Sequence, residues 1–335
     1  MMEWTLENHP TLQQFARPLL PYLKDEKVTE VSINEFGEVW IEKIRVGYGD
    51  RPEPASWATS DWAWMFCRAL ANLKGTAFPN HSHDFAAKPL LSLILPGGHR
   101  LHAILGTSVP SGISLSIRTY RYNPDLAWTD FNVAAPVSRK LEAAMAAGAK
   151  VLVSGAPGSG KTSLLRLLGR AVPSSHRVIT VGDIDEPNLL PHRNQTRLML
   201  DRFDQRGAGQ LGFGDMIDSV LRLNGNVAVL NELSYDNAVP ALRLLNTGVL
   251  GGFITTLHSN SALDALEAWR RNVAMREGNA GSGEVVAFLA RTIDIVIHCA
   301  RTGVDRREVT GIAWRDAERG ELDVPWRRLI GNGIS

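Results

Sequence analysis

The stretch GAPGSGKT, residues 155 to 162, places Gly155, Gly160, Lys161 and Thr162 at the spacing G-x-x-x-x-G-K-[ST]. Such a loop binds phosphate. Glycines let successive backbone N–H groups turn inward, so Gly155, Ala156, Pro157, Gly158, Ser159 and Gly160 wrap an anion, and Lys161, Thr162 and Ser163 open a helix whose dipole favours it. An amine at 161 reaches the β and γ phosphates of a nucleotide, and a hydroxyl at 162 ligates Mg²⁺. The apolar run KVLVS precedes the loop and KTSLLRLLGRAV follows it, the strand and helix this cradle requires. A Gly-rich surface turn that matches by chance would need neither.

Hydrolysis of a nucleotide also needs acids. Two stretches offer them where apolar runs end: VGDIDEP, with Asp183, Asp185 and Glu186, and VAVLNEL, with Glu232. Ligands gather outside the carboxyl ends of strands in open α/β sheets, which suits both. Acids also cap the helix or loop after a strand, and that reading stays open for each. In GGFITTLHSN, Thr255, Thr256 and His258 close another apolar run. A histidine there serves either as a hydrogen-bonded structural residue or as a sensor of the γ-phosphate.

The elements that must position these groups fall into two halves. The first is mixed α and β. TLQQFARPLLPYLK has helical spacing broken by Pro18 and Pro21, VTEVSINEFGEVWIEK alternates as two strands about NEFG, and SDWAWMFCRALANLKG is a helix capped by Ser60 and stopped at Gly75. LLSLILPGGHRLHAIL and GISLSIRTYR supply further strands. YNPDLAWTDFN, residues 122–132, is polar and aperiodic and reads as a linker, leaving an N-terminal α+β domain over 1–121. From 133 to 335, helical stretches alternate with KVLVS, RVITVG, VAVLNE and GFITTLH, which predicts a mostly parallel sheet covered by helices.

Composition narrows the function classes. Two domains of this size can each bury a core in a chain of 335 residues that is 44% hydrophobic. With 36 Lys+Arg against 35 Asp+Glu there is no global footprint for nucleic acid or an anionic membrane, so no specific nucleic-acid binding is expected. Cys67 and Cys299 sit in apolar surroundings, as buried thiols of a reducing compartment do. No apolar run is long enough to span a bilayer, which predicts a cytoplasmic protein touching a membrane peripherally at most.

The succession GAPGSGKTSLLRLL, RVITVGDIDEP, VAVLNEL and NTGVLGGFITTLHSNSALDALE resembles the secretion-superfamily ATPases, with their Walker A, Asp-box, Walker B and His-box motifs. VTEVSINEFGEVWIEK, LPGGHRLHAIL and SGISLSIRTY resemble the N-terminal domain of the VirB11 branch. The resemblance implies a RecA-like P-loop domain after a smaller α+β domain, assembled as a homo-hexamer. That ring would hydrolyse ATP with Mg²⁺ and energise a type IV secretion, conjugation or pilus-like apparatus, with inner-membrane components and coupling proteins as partners. By the same resemblance Glu186 polarises the attacking water, Asp183 and Glu232 join Thr162 around the metal, and His258 fills the His-box position. Arg118 of SIRTY, with Arg100 as a weaker candidate, sits where the family has an arginine near the nucleotide.

Departures cluster at the acids. The Asp box, usually like E-D-T-x-E-L, runs here from Gly182 through Asp183 to Pro187. The Walker B region, usually like G-E-x-R-G after a basic stretch, reads Asn231, Glu232, Leu233, Ser234 after LNGN. A carboxylate without a cationic neighbour loses a partner that fixes its rotamer. Slow hydrolysis, or a nucleotide-binding ring scaffold with vestigial hydrolysis, is the expectation to set beside a fully active motor. A P-loop kinase or DNA-dependent ATPase would need a lid or basic groove that the sequence does not offer.

Overall fold

The computed structural model describes residues 10–44, 46–80, 88–121, 123–182, 190–200, 211–248, 251–277, 282–303, 306–315, 327–330 and 333–334. The chain divides into two compact units, Met1–Tyr122 and Asn123–Ser335.

In the first unit, helices α1 (Pro10–Ala16), α2 (Leu20–Lys24) and α3 (Ser60–Lys74) accompany strands β1 (Val28–Ile33), β2 (Gly37–Lys43), β3 (Gly47–Tyr48), β4 (Glu53–Ala55), β5 (Leu90–Ile94), β6 (Arg100–Leu105) and β7 (Ile113–Arg118). The sheet is antiparallel in the order β3-β2-β1-β7-β6-β5, with β4 also on β2. Alternation sets one face inward: Ile113, Leu115 and Ile117 are buried in β7 and the residues between them are not. That face packs with α1 and α3, where Trp62 stacks on Phe66 at 5.2 Å and donates its indole N–H to the Phe15 carbonyl at 2.9 Å. Trp57 and Trp64 lie partly buried against the same core. The N-cap of α3 is Thr59, whose Oγ1 accepts from Trp62 N at 3.2 Å, and Ser60 is the first helical residue. Ser60 as cap was one position too late; Gly75, at φ 66°, does end the helix.

The second unit holds α4 (Ala135–Ala146), β8 (Lys150–Ser154), α5 (Lys161–Arg170), β9 (Val178–Gly182), β10 (Gln195–Met199), α6 (Phe213–Arg222), β11 (Val227–Leu230), α7 (Ala238–Asn246), β12 (Gly252–Leu257), α8 (Ala265–Glu277), α9 (Ser282–Thr292), β13 (Ile295–Arg301), β14 (Arg307–Trp314), β15 (Arg327–Ile330) and β16 (Gly333–Ile334). The sheet order is β10-β9-β11-β12-β8-β13-β14-β15-β16, parallel as far as β13 and antiparallel beyond. Its central strands are covered on both faces, which is why VAVL and GFITTL are buried at every position. One core, with Phe253 and Trp269, lies on one face; another, with Leu164, Leu165 and Leu168 of α5, lies on the other.

Of the stretch read as a linker, residues 123–132 belong to the second unit. Trp128 and Phe131 form a short 3₁₀ turn buried in its core, and Trp128 Nε1 donates to Glu142 at 2.7 Å. A polar composition hid these two anchors. No helix among the described residues is long and apolar enough to cross a membrane.

Candidate functional site

β8 delivers the chain into the loop, and α5 carries it away. The parallel register sets Ser154 beside Leu257 of β12 and beside His298 of β13, so the carboxyl ends of β8 and β12 meet there against the middle of β13. Gly155 leaves β8 at φ 152°; a Cβ on it would lie 2.2 Å from the Cys299 carbonyl oxygen, so no other residue fits. Gly160, at φ 99°, turns the chain into α5 beneath Phe131, whose ring would be 2.7 Å from a Cβ. The α5 N-terminus therefore carries no side-chain cap, and its N–H groups are directed at the loop's concavity.

Lys161 is 9% exposed and its Nζ donates to the Gly155 and Ala156 carbonyls, both at 3.1 Å. Burial pushes the amine below the ordinary lysine range, opposed by the Glu232 carboxylate and by Cys299. His258, directly after β12, lies between that amine and the acid. Its Nε2 is 2.8 Å from Glu232 Oε1, and its Nδ1 is 3.2 Å from Lys161 Nζ and 3.1 Å from the Gly155 carbonyl oxygen. With Nε2 donating to the carboxylate, Nδ1 of a neutral ring accepts from the lysine; an imidazolium would donate to Gly155 instead. Lys161, His258 and Glu232 thus form one continuous polar chain across the ends of β8, β12 and β11.

The turn after β11 is held from several sides. Leu233 N donates to Thr256 O and Thr256 Oγ1 to Asn231 O, each at 2.7 Å. Asn237, fully buried, donates from Nδ2 to the Glu232 carbonyl at 2.8 Å and accepts from Ser234 N at 2.9 Å. The LNGN stretch in place of a basic one has its own work: Asn226 Oδ1 accepts from Arg177 N at 2.8 Å, and Gly225 leaves room for Ile179. The sequence suggested a carboxylate without a partner to fix it. The structure corrects this: His258 takes the carboxylate and Asn237 the backbone.

Beneath the loop lies a second polar cluster. Ser154 Oγ is 2.9 Å from His298 Nδ1, and Ser159 Oγ is 3.3 Å from Cys299 Sγ, which donates to Ser154 O at 3.4 Å. Burial raises the Cys299 thiol above its usual range, and burial followed by the Lys161 charge lowers His298. Both read as members of an apolar strand, and their contact with the loop depends on a register shift in β13 between them that no periodicity reveals. Asn237 was missed for the same kind of reason, since its partners lie in a turn.

Thr162 and Ser163 lie in the first turn of α5, half-buried. Asp183, Asp185 and Glu186 lie outside the described residues. Arg118 ends β7 in the first unit, exposed, with Nε 3.7 Å from Glu30 Oε2, and is paired across the sheet with Arg100. The donors of the second unit suit a magnesium nucleotide. A buried amine resting on carbonyls and a row of helix-terminal N–H groups fit phosphates, and a hydroxyl and a carboxylate are the hard oxygen donors that Mg²⁺ takes.

The chain resembles the VirB11 protein of the Bartonella henselae type IV secretion system, with 26% identity covering 85% of this chain and 87% of that one. It is 27% identical to the type IV secretion system protein PtlH of Bordetella pertussis, over 89% of this chain and 93% of the relative. Among solved structures, the Legionella pneumophila ATPase DotB shares the fold, with a TM-score of 0.60 at 16% identity, covering 95% of this chain and 83% of the other. The sequence also matches the family described as "Type II/IV secretion system protein" over residues 100–312, well over half the chain. The chain belongs to the type II/IV secretion system protein family, and VirB11 proteins are among its relatives.

Proposed function

We propose that this chain is a Mg²⁺-dependent ATPase that works as a homo-hexameric ring and energises a type IV secretion, conjugation or pilus-like apparatus from the cytoplasmic face of the inner membrane. The observation that carries the reading is the polar chain from Lys161 through His258 to Glu232, built on the mouth of the phosphate cradle. The type IV systems of the VirB11 and PtlH relatives support the choice of apparatus, whose inner-membrane components and coupling proteins would be the partners.

In this mechanism Lys161 exchanges the Gly155 and Ala156 carbonyls for phosphate oxygens, a trade its depressed pKa favours because the amine gains a better counter-charge. The Thr162 hydroxyl, Asp183 and Glu232 would hold Mg²⁺, which would supply charge neutralisation to the phosphates. Glu186 orients the attacking water. His258 holds the Glu232 carboxylate and lies close to Lys161, so movement of the amine toward phosphate is felt at the acid. By the family resemblance, Arg118 would neutralise charge developing on the γ-phosphoryl of a bound nucleotide, a role the resemblance allows across a subunit boundary.

The substitutions at Asn231, Leu233 and Ser234 favour a second reading, a nucleotide-binding ring scaffold of the same apparatus with weak or vestigial hydrolysis. Glu186→Gln separates the two. In the motor it stops transport and leaves assembly intact; transport that continues unchanged would leave the scaffold.

A further inference from the structure

We propose that Arg307 is a second cation of the phosphate cradle, supplied by the same unit as Lys161, and that it binds the phosphates of a nucleoside di- or triphosphate. The inference rests on reading the loop as a nucleotide site. Arg307 opens β14, and its Nε donates to the carbonyl of Gly158, in the middle of the loop, at 3.0 Å. Its stem lies over Gly160, with Cδ 3.1 Å from where a Cβ would stand, beside the Phe131 ring. The guanidinium is thus tied to the lip of the cradle by one nitrogen.

The neighbouring charges single it out. Arg306 pairs with Glu308 at 2.6 Å, and Glu308 also accepts from Asn132 Nδ2 at 3.2 Å, so the carboxylate next to Arg307 in sequence is committed elsewhere. Arg307 is exposed, and among the described residues its two Nη groups have no partner. A guanidinium fixed through Nε keeps both Nη groups for a bidentate grip, the geometry that suits phosphate oxygens. Mg²⁺ neutralises only part of a triphosphate's charge, and Lys161 is shared with Glu232 through His258. A second fixed cation completes the balance within the unit, for the diphosphate as well as the triphosphate.

The test is equilibrium binding of fluorescent ADP and ATP to the full chain, comparing wild type with Arg307→Ala, Arg307→Lys and Lys161→Ala at low and high salt. Arg307→Ala should bind both nucleotides about tenfold more weakly, as loss of a charge-assisted contact does. Arg307→Lys, which keeps the charge but loses the fork and its tie to Gly158, should recover only part of the affinity, and the gap between wild type and Arg307→Ala should narrow as salt screens the contact. Thermal unfolding of the Arg307 variants should match wild type. Unchanged affinity in Arg307→Ala, or a loss that salt does not alter, would overturn the proposal, the latter marking Arg307 as a brace for the loop. If wild type and Lys161→Ala bind alike, the nucleotide site itself is misassigned and the proposal falls with it.

Discussion

At the scale of single residues, the best-supported atoms in the site belong to Asn237. Its amide spans the turn after β11, reaching the Glu232 carbonyl and the Ser234 N–H while fully buried. Asn237→Ala leaves both backbone groups unsatisfied, so it should cost about 1–3 kcal/mol in urea unfolding and slow turnover through a displaced Glu232. Asn237→Asp, which keeps the acceptor for Ser234, should cost less than the alanine change if the Ser234 contact dominates. Cys67 in α3 offers a test in a different part of the chain. Burial pushes its thiol up to about 12 from an ordinary 9.0. A raised pKa contributes stability that is fully present below pH 9 and is lost as pH climbs toward 12, because the unfolded chain releases the proton first. Replacing Cys67 by alanine should flatten the fall of the unfolding midpoint between those pH values, and an unchanged alkaline slope would show that other groups set it.

The strand, loop and helix from β8 to α5 act as one element, because each end constrains the other. Gly155→Ala places a methyl 2.2 Å from the Cys299 carbonyl in a backbone region that only glycine adopts readily, so the loop must leave its seat on β13. Loss of nucleotide binding with the remainder of the unit still folded is the expected outcome, read by ADP titration and circular dichroism. This element was fully legible in the sequence, since a loop of fixed spacing and its two flanks are local signals. So were α3 and the buried parallel strands, whose runs announce themselves by apolar continuity. β10 was not legible: QTRLM is half-exposed at the sheet edge and owes its pairing to β9 alone. His298, Cys299, Asn237 and Arg307 were missed because their importance arises from contacts more than a hundred residues apart or from turn geometry, neither of which leaves a period.

For the molecule as a whole, the family match runs from residue 100 to residue 312 and therefore spans parts of both compact units. The proposed ring has a direct readout: native mass in ATP and Mg²⁺ should give six copies, whereas a monomer with and without nucleotide would contradict a ring motor. The central claim, that the chain hydrolyses ATP at the cradle joined to Glu232 through His258, is met most directly by steady-state phosphate release. Wild type, Lys161→Ala and Glu232→Gln are compared in Mg²⁺ at saturating ATP. The account predicts measurable turnover in wild type and its loss, by at least about tenfold, in each variant, as expected when a group that stabilises phosphoryl transfer is removed. Turnover that persists unchanged in both variants would contradict it.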